Sequence, residues 1–147
     1  MGTRSLTIVK DLDGENICAL YRQYDGYPSG HGKELRAWAR GKYFANGMTA
    51  ADNKNIWNGP RCCAASLVAR FKTEPGRIYL EPPLGAGGDS QEYVYILSPR
   101  MRDGSRINLY SKFSPSEREC LLWVRIFGLG KMVYDGFMDD LSIDSIE

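Results

Sequence analysis

The stretch "CLLWVRIF", residues 120–127, decides the fold. All but Arg125 are apolar, so the run reads either as a buried helix or as a strand covered on both faces, and periodicity alone does not separate the two. Two other features do. Trp123, Val124, Ile126 and Phe127 are the branched and aromatic types that suit a pleated surface. Gly128-Leu129-Gly130 follows at once, a turn leading into a further short extended run, "MVYDG" (132–136). The strand reading then extends upstream to "RIYLE" (77–81), "EYVYILS" (92–98) and "RINLYSKF" (106–113), which share that composition and are separated by Gly- and Pro-containing turns. The acidic end, "MDDLSIDSIE", reads as a frayed tail.

Two helices precede these strands. In "PRCCAASLVARFKT" (60–73), Pro60 suits a first helical position. Cys63, Leu67, Val68 and Phe71 form an apolar stripe, Arg61, Arg70 and Lys72 face water, and Pro75-Gly76 stops the helix. In "GKELRAWARG" (32–41), Leu35, Trp38 and Ala39 mark one face and Gly41 ends it. Residues 42–59 read as irregular, with turns at Asn46-Gly47 and Asn58-Gly59. At the front, "RSLTIVKD" (4–11) alternates with period two, and "ICALYRQ" (17–23) follows an Asp-Gly turn, giving an opening hairpin. The expected architecture is one α+β domain over residues 1–147. It is a mainly antiparallel sheet with two helices packed on one face, the alternative being a β-sandwich with helical insertions.

Composition limits the function classes. Hydrophobic residues make up 43% and charged residues 25%, the balance of a globular domain, and the formal net charge is +1. Binders of duplex DNA or membrane surfaces usually carry a basic excess, so neither partner is expected, whereas a local basic pocket for a small anion remains compatible. The absence of a long apolar run and of a signal-peptide pattern points to a cytoplasmic protein. Cys18, Cys62, Cys63 and Cys120 lack CxxC spacing and read as buried free thiols. No metal or cofactor is implied.

The chemistry concentrates in "YRQYDGYPSGHGKEL" (21–35), which holds three tyrosines, an arginine and the single histidine of the chain. Glycines in a turn that feeds a helix start allow outward-pointing amides, a favourable place for phosphate. Arg22, His31 and Lys33 add polar and charged donors, with Arg4 reaching in if the first strand borders the pocket. Tyr24 and Tyr27 offer flat faces to bases. Asp25 and Ser29 either satisfy turn amides or join the ligand set. Each residue also has a purely structural reading, as packing, turn or solvated surface. The glycine-rich connection "PPLGAGGDSQEY" (82–93) lacks the lysine and hydroxyl of a P-loop and reads as a long hairpin or a lid.

"MGTRSLT" (1–7) and "ICALYRQYDGYPSGHGKEL" (17–35) resemble a family of small proteins carried by phages, other viruses and some bacteria. "GPRCCAASLVARFK" (59–72), "GRIYLEPP" (76–83) and "EYVYIL" (92–97) continue the resemblance along most of the chain. Within that family the chain is similar to viral anti-CBASS sponge proteins, which sequester cyclic dinucleotide alarm signals and blunt antiphage defence. The resemblance implies a binder of a cyclic nucleotide, or another small phosphate-bearing ligand, acting in the host cytoplasm with no catalytic residue. It supplies no residue-level assignment, so Arg4, Arg22, Tyr24, Asp25, Tyr27, Ser29, His31 and Lys33 stand as ligand-binding candidates on their chemistry alone. A homo-oligomer would suit a two-fold ligand. Two alternatives stay open. One is a metal-independent phosphodiesterase with His31 as acid or base; the other is an inhibitor that docks on a host defence protein.

Overall fold

The computed structural model of the chain describes residues 2–45, 55–83, 91–105 and 120–146. Strands β1 (Ser5–Lys10) and β2 (Asn16–Arg22) form the expected hairpin. A single π-helical turn (Pro28–Gly32) runs into α1 (Lys33–Ala39), followed by β3 (Tyr43–Ala45), β4 (Ile56–Asn58) and α2 (Pro60–Phe71). Then come β5 (Ile78–Glu81), β6 (Tyr93–Met101), β7 (Cys120–Gly128) and β8 (Lys131–Phe137). All eight strands join one curled sheet in the order β4-β3-β7-β6-β1-β2-β5, with β8 also on β7. The pairings are antiparallel except β1 with β6 and β3 with β4. The fold is therefore α+β, with two helices on one face of a dominant sheet and, among the described residues, one sheet and not a sandwich of two.

Residues 120–127 are a strand, and burial shows why their composition misleads. Cys120, Leu122, Val124 and Ile126 alternate onto the helix face, each 4% exposed or less. Leu121, Trp123, Arg125 and Phe127 occupy the opposite face, which is also largely apolar, so the period-two pattern is present in burial and hidden in residue type. On the helix side these residues meet Leu35, Trp38 and Ala39 of α1 and Cys63, Ala64, Leu67 and Phe71 of α2 in one core. Each large aliphatic side chain fully buried there contributes about 1.5–3 kcal/mol. Strand β1 lies inside the sheet and is covered on both faces, with Thr7 and Val9 toward the helices and Leu6 and Ile8 packed with Ala19 and Val94 on the other side.

Three sequence expectations change. Residues 42–59 are not wholly irregular, because β3 and β4 insert Phe44 and Trp57 into the core, with the Trp57 ring tilted against Trp38 at a centroid distance of 5.0 Å. Helix α2 buries Ala64 in addition to Cys63, Leu67 and Phe71, with Val68 half-buried against the same core, and ends at Phe71 because Lys72 turns extended (φ −90, ψ 90) before Pro75 is reached. The acidic tail does not fray at its start. Two short 3-10 turns bury Met138, Leu141 and Ile143, and Arg36 Nη1 donates to the Leu141 carbonyl at 2.8 Å. The expected turn at Asn46-Gly47, the run 106–113 and the centre of the glycine-rich connection, 84–90, lie outside the described residues. All four cysteines are free thiols; Cys63 and Cys120 are buried, Cys18 and Cys62 half-buried. Burial pushes the Cys120 thiol up to about 12. Among the described residues no helix is long and apolar enough to cross a membrane.

The β5 edge is blunted against strand addition. Gln23 N–H donates to the Arg77 carbonyl at 2.9 Å, so alternation turns the backbone groups of Ile78 and Leu80 outward. The Ile78 N–H is consumed by Gly76 O at 2.7 Å in a γ-turn centred on Arg77 (φ 64). Pro82, next in the outward series, has no N–H. Leu80 is left as the one outward donor of this edge, a poor template for a second sheet.

Candidate functional site

The residues around the single histidine form an interior network. His31 is 0% exposed, with its ring 5.0 Å from both Phe71 and Tyr95. Arg22 Nη1 lies 3.2 Å from His31 Nδ1. A guanidinium only donates, so Nδ1 accepts, the proton sits on Nε2, and Nε2 donates to Thr7 Oγ1 at 2.7 Å. Burial, reinforced by the Arg22 charge, pushes the His31 pKa down to about 3, so the ring is neutral at physiological pH. Arg22 is itself enclosed: its Nε donates to the Tyr24 carbonyl at 2.6 Å and its Nη1 is ion-paired with Glu34. Direct ligand contact by His31, expected from sequence, is replaced by support of Arg22.

The glycine-rich turn is likewise used by the fold. Gly26 N–H donates to Thr3 O at 2.8 Å, Gly30 N–H to Tyr27 O at 2.9 Å, and His31 N–H to Asp25 O at 3.0 Å. These amides close the turn and are not presented outward to a phosphate. Gly26 is required by close approach, since a Cβ there would lie 2.6 Å from Ser5 Cβ and 2.8 Å from Ser5 N. Its carbonyl accepts from the buried Tyr95 hydroxyl at 2.7 Å, which pins the turn to β6.

The remaining candidates diverge. Tyr24 is exposed, Tyr27 is half-buried with its hydroxyl 3.2 Å from Asp25 Oδ1, Ser29 is half-buried, and Lys33 is exposed at the start of α1. Asp25 takes a left-handed backbone (φ 59), a turn role. Arg4 is held at Glu92, whose carboxyl is kept below its usual range first by the Arg4 backbone N–H at 2.8 Å. Arg22 borders a hollow of about 100 Å³ shared with Glu34, Arg70, Glu74 and Arg77.

A larger cleft, about 350 Å³, opens on the sheet face away from the helices. Its origin is a mismatch in strand length. Strand β6 continues through Ser98, Pro99 and Arg100 after its pairing with β1 ends at Leu97. Pro99 cannot donate to a further neighbour on the vacated side. The β1–β2 turn, Asp11–Gly14, walls the gap so formed. Lys10, Arg100 and Arg125 bring three cations to it and Asp11 and Asp13 two carboxylates. Asp11 is partly committed to Arg61 at 3.3 Å, and Asp13 Oδ1 accepts Glu15 N–H at 2.9 Å.

A ring–cation stack stands beside the cleft. The Arg100 guanidinium lies 4.3 Å from the Trp123 ring centroid, and Trp123 meets Phe137 edge-on at 4.8 Å. Asp135 fixes both the indole, through Trp123 Nε1 at 2.6 Å, and Arg125, through Nε at 3.2 Å. Sequence reading does not mark Arg100, Trp123, Arg125 or Phe137 as ligand-binding, and offers Asp135 only as a carboxylate that could join others at a metal. Two signals pointed to them. Arg125 is the one charge in the apolar run 120–127, and Pro99 inside a strand pattern marks the place where pairing must stop.

Fold and geometry thus define an α+β domain with a mixed-charge, cation-rich cleft on the outer face of its sheet. No family model, curated protein or solved structure matches the chain. Among the described residues no three His, Cys, Asp or Glu side chains group as a metal site.

Proposed function

We propose that the protein binds a small phosphate-bearing ligand of the nucleotide class in the sheet-face cleft and holds it intact, as a sponge for a cyclic oligonucleotide signal. The observation that carries this reading is the cleft itself: a concavity of about 350 Å³ with Lys10, Arg100 and Arg125 on its walls and the Arg100–Trp123 stack at its side. Small-molecule sites span about 300–1,000 Å³, so this volume suits one nucleotide unit, while the hollow at Arg22 is too small for one. Arginine pairs with phosphate through a planar fork and stacks its guanidinium on flat rings. The same residue type thus serves both halves of a nucleotide.

The resemblance of the two N-terminal blocks to viral sponge proteins supports the same ligand class and a role in countering antiphage defence. A cyclic dinucleotide larger than one cleft would be shared between two copies, which motivates the two-fold assembly. Capture is favoured over cleavage by the position of His31. A general acid or base must reach the proton it transfers, whereas this ring is sealed, neutral and bonded at both nitrogens.

The test is recovery of ligand. The purified protein is incubated with a panel of cyclic di- and trinucleotides, washed and denatured, and the released material is analysed by mass. Intact ligand in stoichiometric amount is the expected result. Linear products would indicate hydrolysis, and an empty protein would favour docking on a host protein; either outcome overturns the proposal.

A further inference from the structure

We propose that the hollow at Arg22 is a second, separate site that takes a single tetrahedral oxyanion of the phosphate class. It lies on the helix side of β2, whereas the nucleotide cleft lies on the opposite face, so the two proposals stand or fall independently. Its volume of about 100 Å³ is room for a few waters, the scale of one such ion.

The floor of the hollow is a fixed cation. The Arg22 side chain is 6% exposed. Nε is held by the Tyr24 carbonyl and Nη1 by His31 and Glu34, while Nη2 has no partner among the described residues. A guanidinium already ordered by the interior loses little conformational freedom when an anion arrives. The buried histidine acts through this residue: it accepts from Arg22 on one side and donates to Thr7 on the other, which fixes where the guanidinium stands.

Two further guanidiniums wall the hollow. Arg70 comes from the last turn of α2. Arg77 comes from the γ-turn before β5, with one amino group 3.1 Å from Glu74. Thr73 adds a hydroxyl. Glu34 and Glu74 each pair with one arginine, so three cations face two carboxylates and the balance is positive. Each guanidinium carries five donors in a fork matched to phosphate oxygens, and the internal pairs leave several of these donors open.

The probe is inorganic phosphate, titrated into ¹⁵N-labelled protein in chloride buffer at constant ionic strength and followed by amide and guanidinium ¹H–¹⁵N spectra. Saturable shifts are expected at Thr73, Gly76, Arg77 and Arg22 Nε. Arg70→Ala should weaken the apparent affinity about tenfold, the effect of one lost charge-assisted hydrogen bond. Arg77→Ala, which leaves α2 untouched, should do likewise. Both side chains are exposed, so the phosphate-free spectra should otherwise match wild type. Lys131→Ala, an exposed cation of β8 that lines neither hollow, should leave the shifts at Thr73, Gly76 and Arg77 unchanged. Shifts that rise linearly without saturating, or an affinity that neither arginine substitution alters, would overturn the assignment.

Discussion

His31→Ala is expected to destabilise the protein by about 3 kcal/mol or more, the range of large-to-small core substitutions, measured as the shift in the urea unfolding free energy. Three losses combine. A ring packed 5.0 Å from Phe71 and Tyr95 leaves a cavity. The buried Thr7 hydroxyl loses the donor at 2.7 Å, and Arg22 loses an acceptor at 3.2 Å. An orphaned buried polar group alone costs about 1–3 kcal/mol. The same residue sets an acid limb in the stability of the wild type. In the unfolded chain His31 titrates near its ordinary 6.5, and in the fold near 3. Below pH 6.5 the unfolded state therefore binds the extra proton. Stability contributed by the neutral ring is fully present above 6.5 and is lost as pH falls toward 3. With each tenfold difference in proton affinity worth about 1.4 kcal/mol, the loss amounts to several kcal/mol by the bottom of that window. His31→Phe should flatten this part of the profile even if it is less stable overall. An alanine variant within about 0.5 kcal/mol of wild type would contradict the interior network, since that is the scale of ordinary surface substitutions.

Arg100→Ala combined with Arg125→Ala should weaken capture of the cyclic nucleotide about a hundredfold, on the basis of about tenfold for each charge-assisted contact removed. The fold should lose little. Arg100 stacks on the half-exposed Trp123, and Arg125 pairs with Asp135 where both side chains are more than a third exposed. Exposed ion pairs of this kind contribute about 0–1 kcal/mol. Calorimetry on both proteins, with thermal midpoints as the control, separates loss of binding from loss of fold. Unchanged affinity in the folded double variant would remove the cleft from consideration.

The fold was legible where one face of an element is apolar and the other polar. The opening hairpin, the α1 face at Leu35, Trp38 and Ala39, and the start of α2 at Pro60 all follow from local pattern and punctuation. Legibility failed where tertiary context supplies the second half of the pattern. Strands β3 and β4 are three residues each, too short to show a period, and exist because Phe44 and Trp57 complete the core. The tail residues Met138, Leu141 and Ile143 are spaced among acids like a solvated segment, and only the helix they pack against reveals them as core.

The site was legible in part. The block at 21–35 is chemically dense on its face, but the spacing of Arg22 and His31 carries no sign of which way they point. Arg22 turns inward because β2 alternation places it on the helix face with Leu20, and His31 follows because the Pro28–Gly32 turn folds back over β1 and β2 to meet Thr7 and Arg22. The cleft drew no attention because its cations, Lys10, Arg100 and Arg125, are far apart in sequence and meet only through the β1–β6–β7 register. Convergence of that kind is a property of strand order, which a linear pattern does not encode.

The most direct test of the account is a ¹H–¹⁵N titration of the full chain with the cyclic nucleotide it retains. Saturable shifts centred on residues 10–14, 96–100 and Arg125, with the 24–33 segment unmoved, are the predicted result. A footprint on Tyr24, Tyr27 and Lys33 that leaves the cleft silent would contradict it.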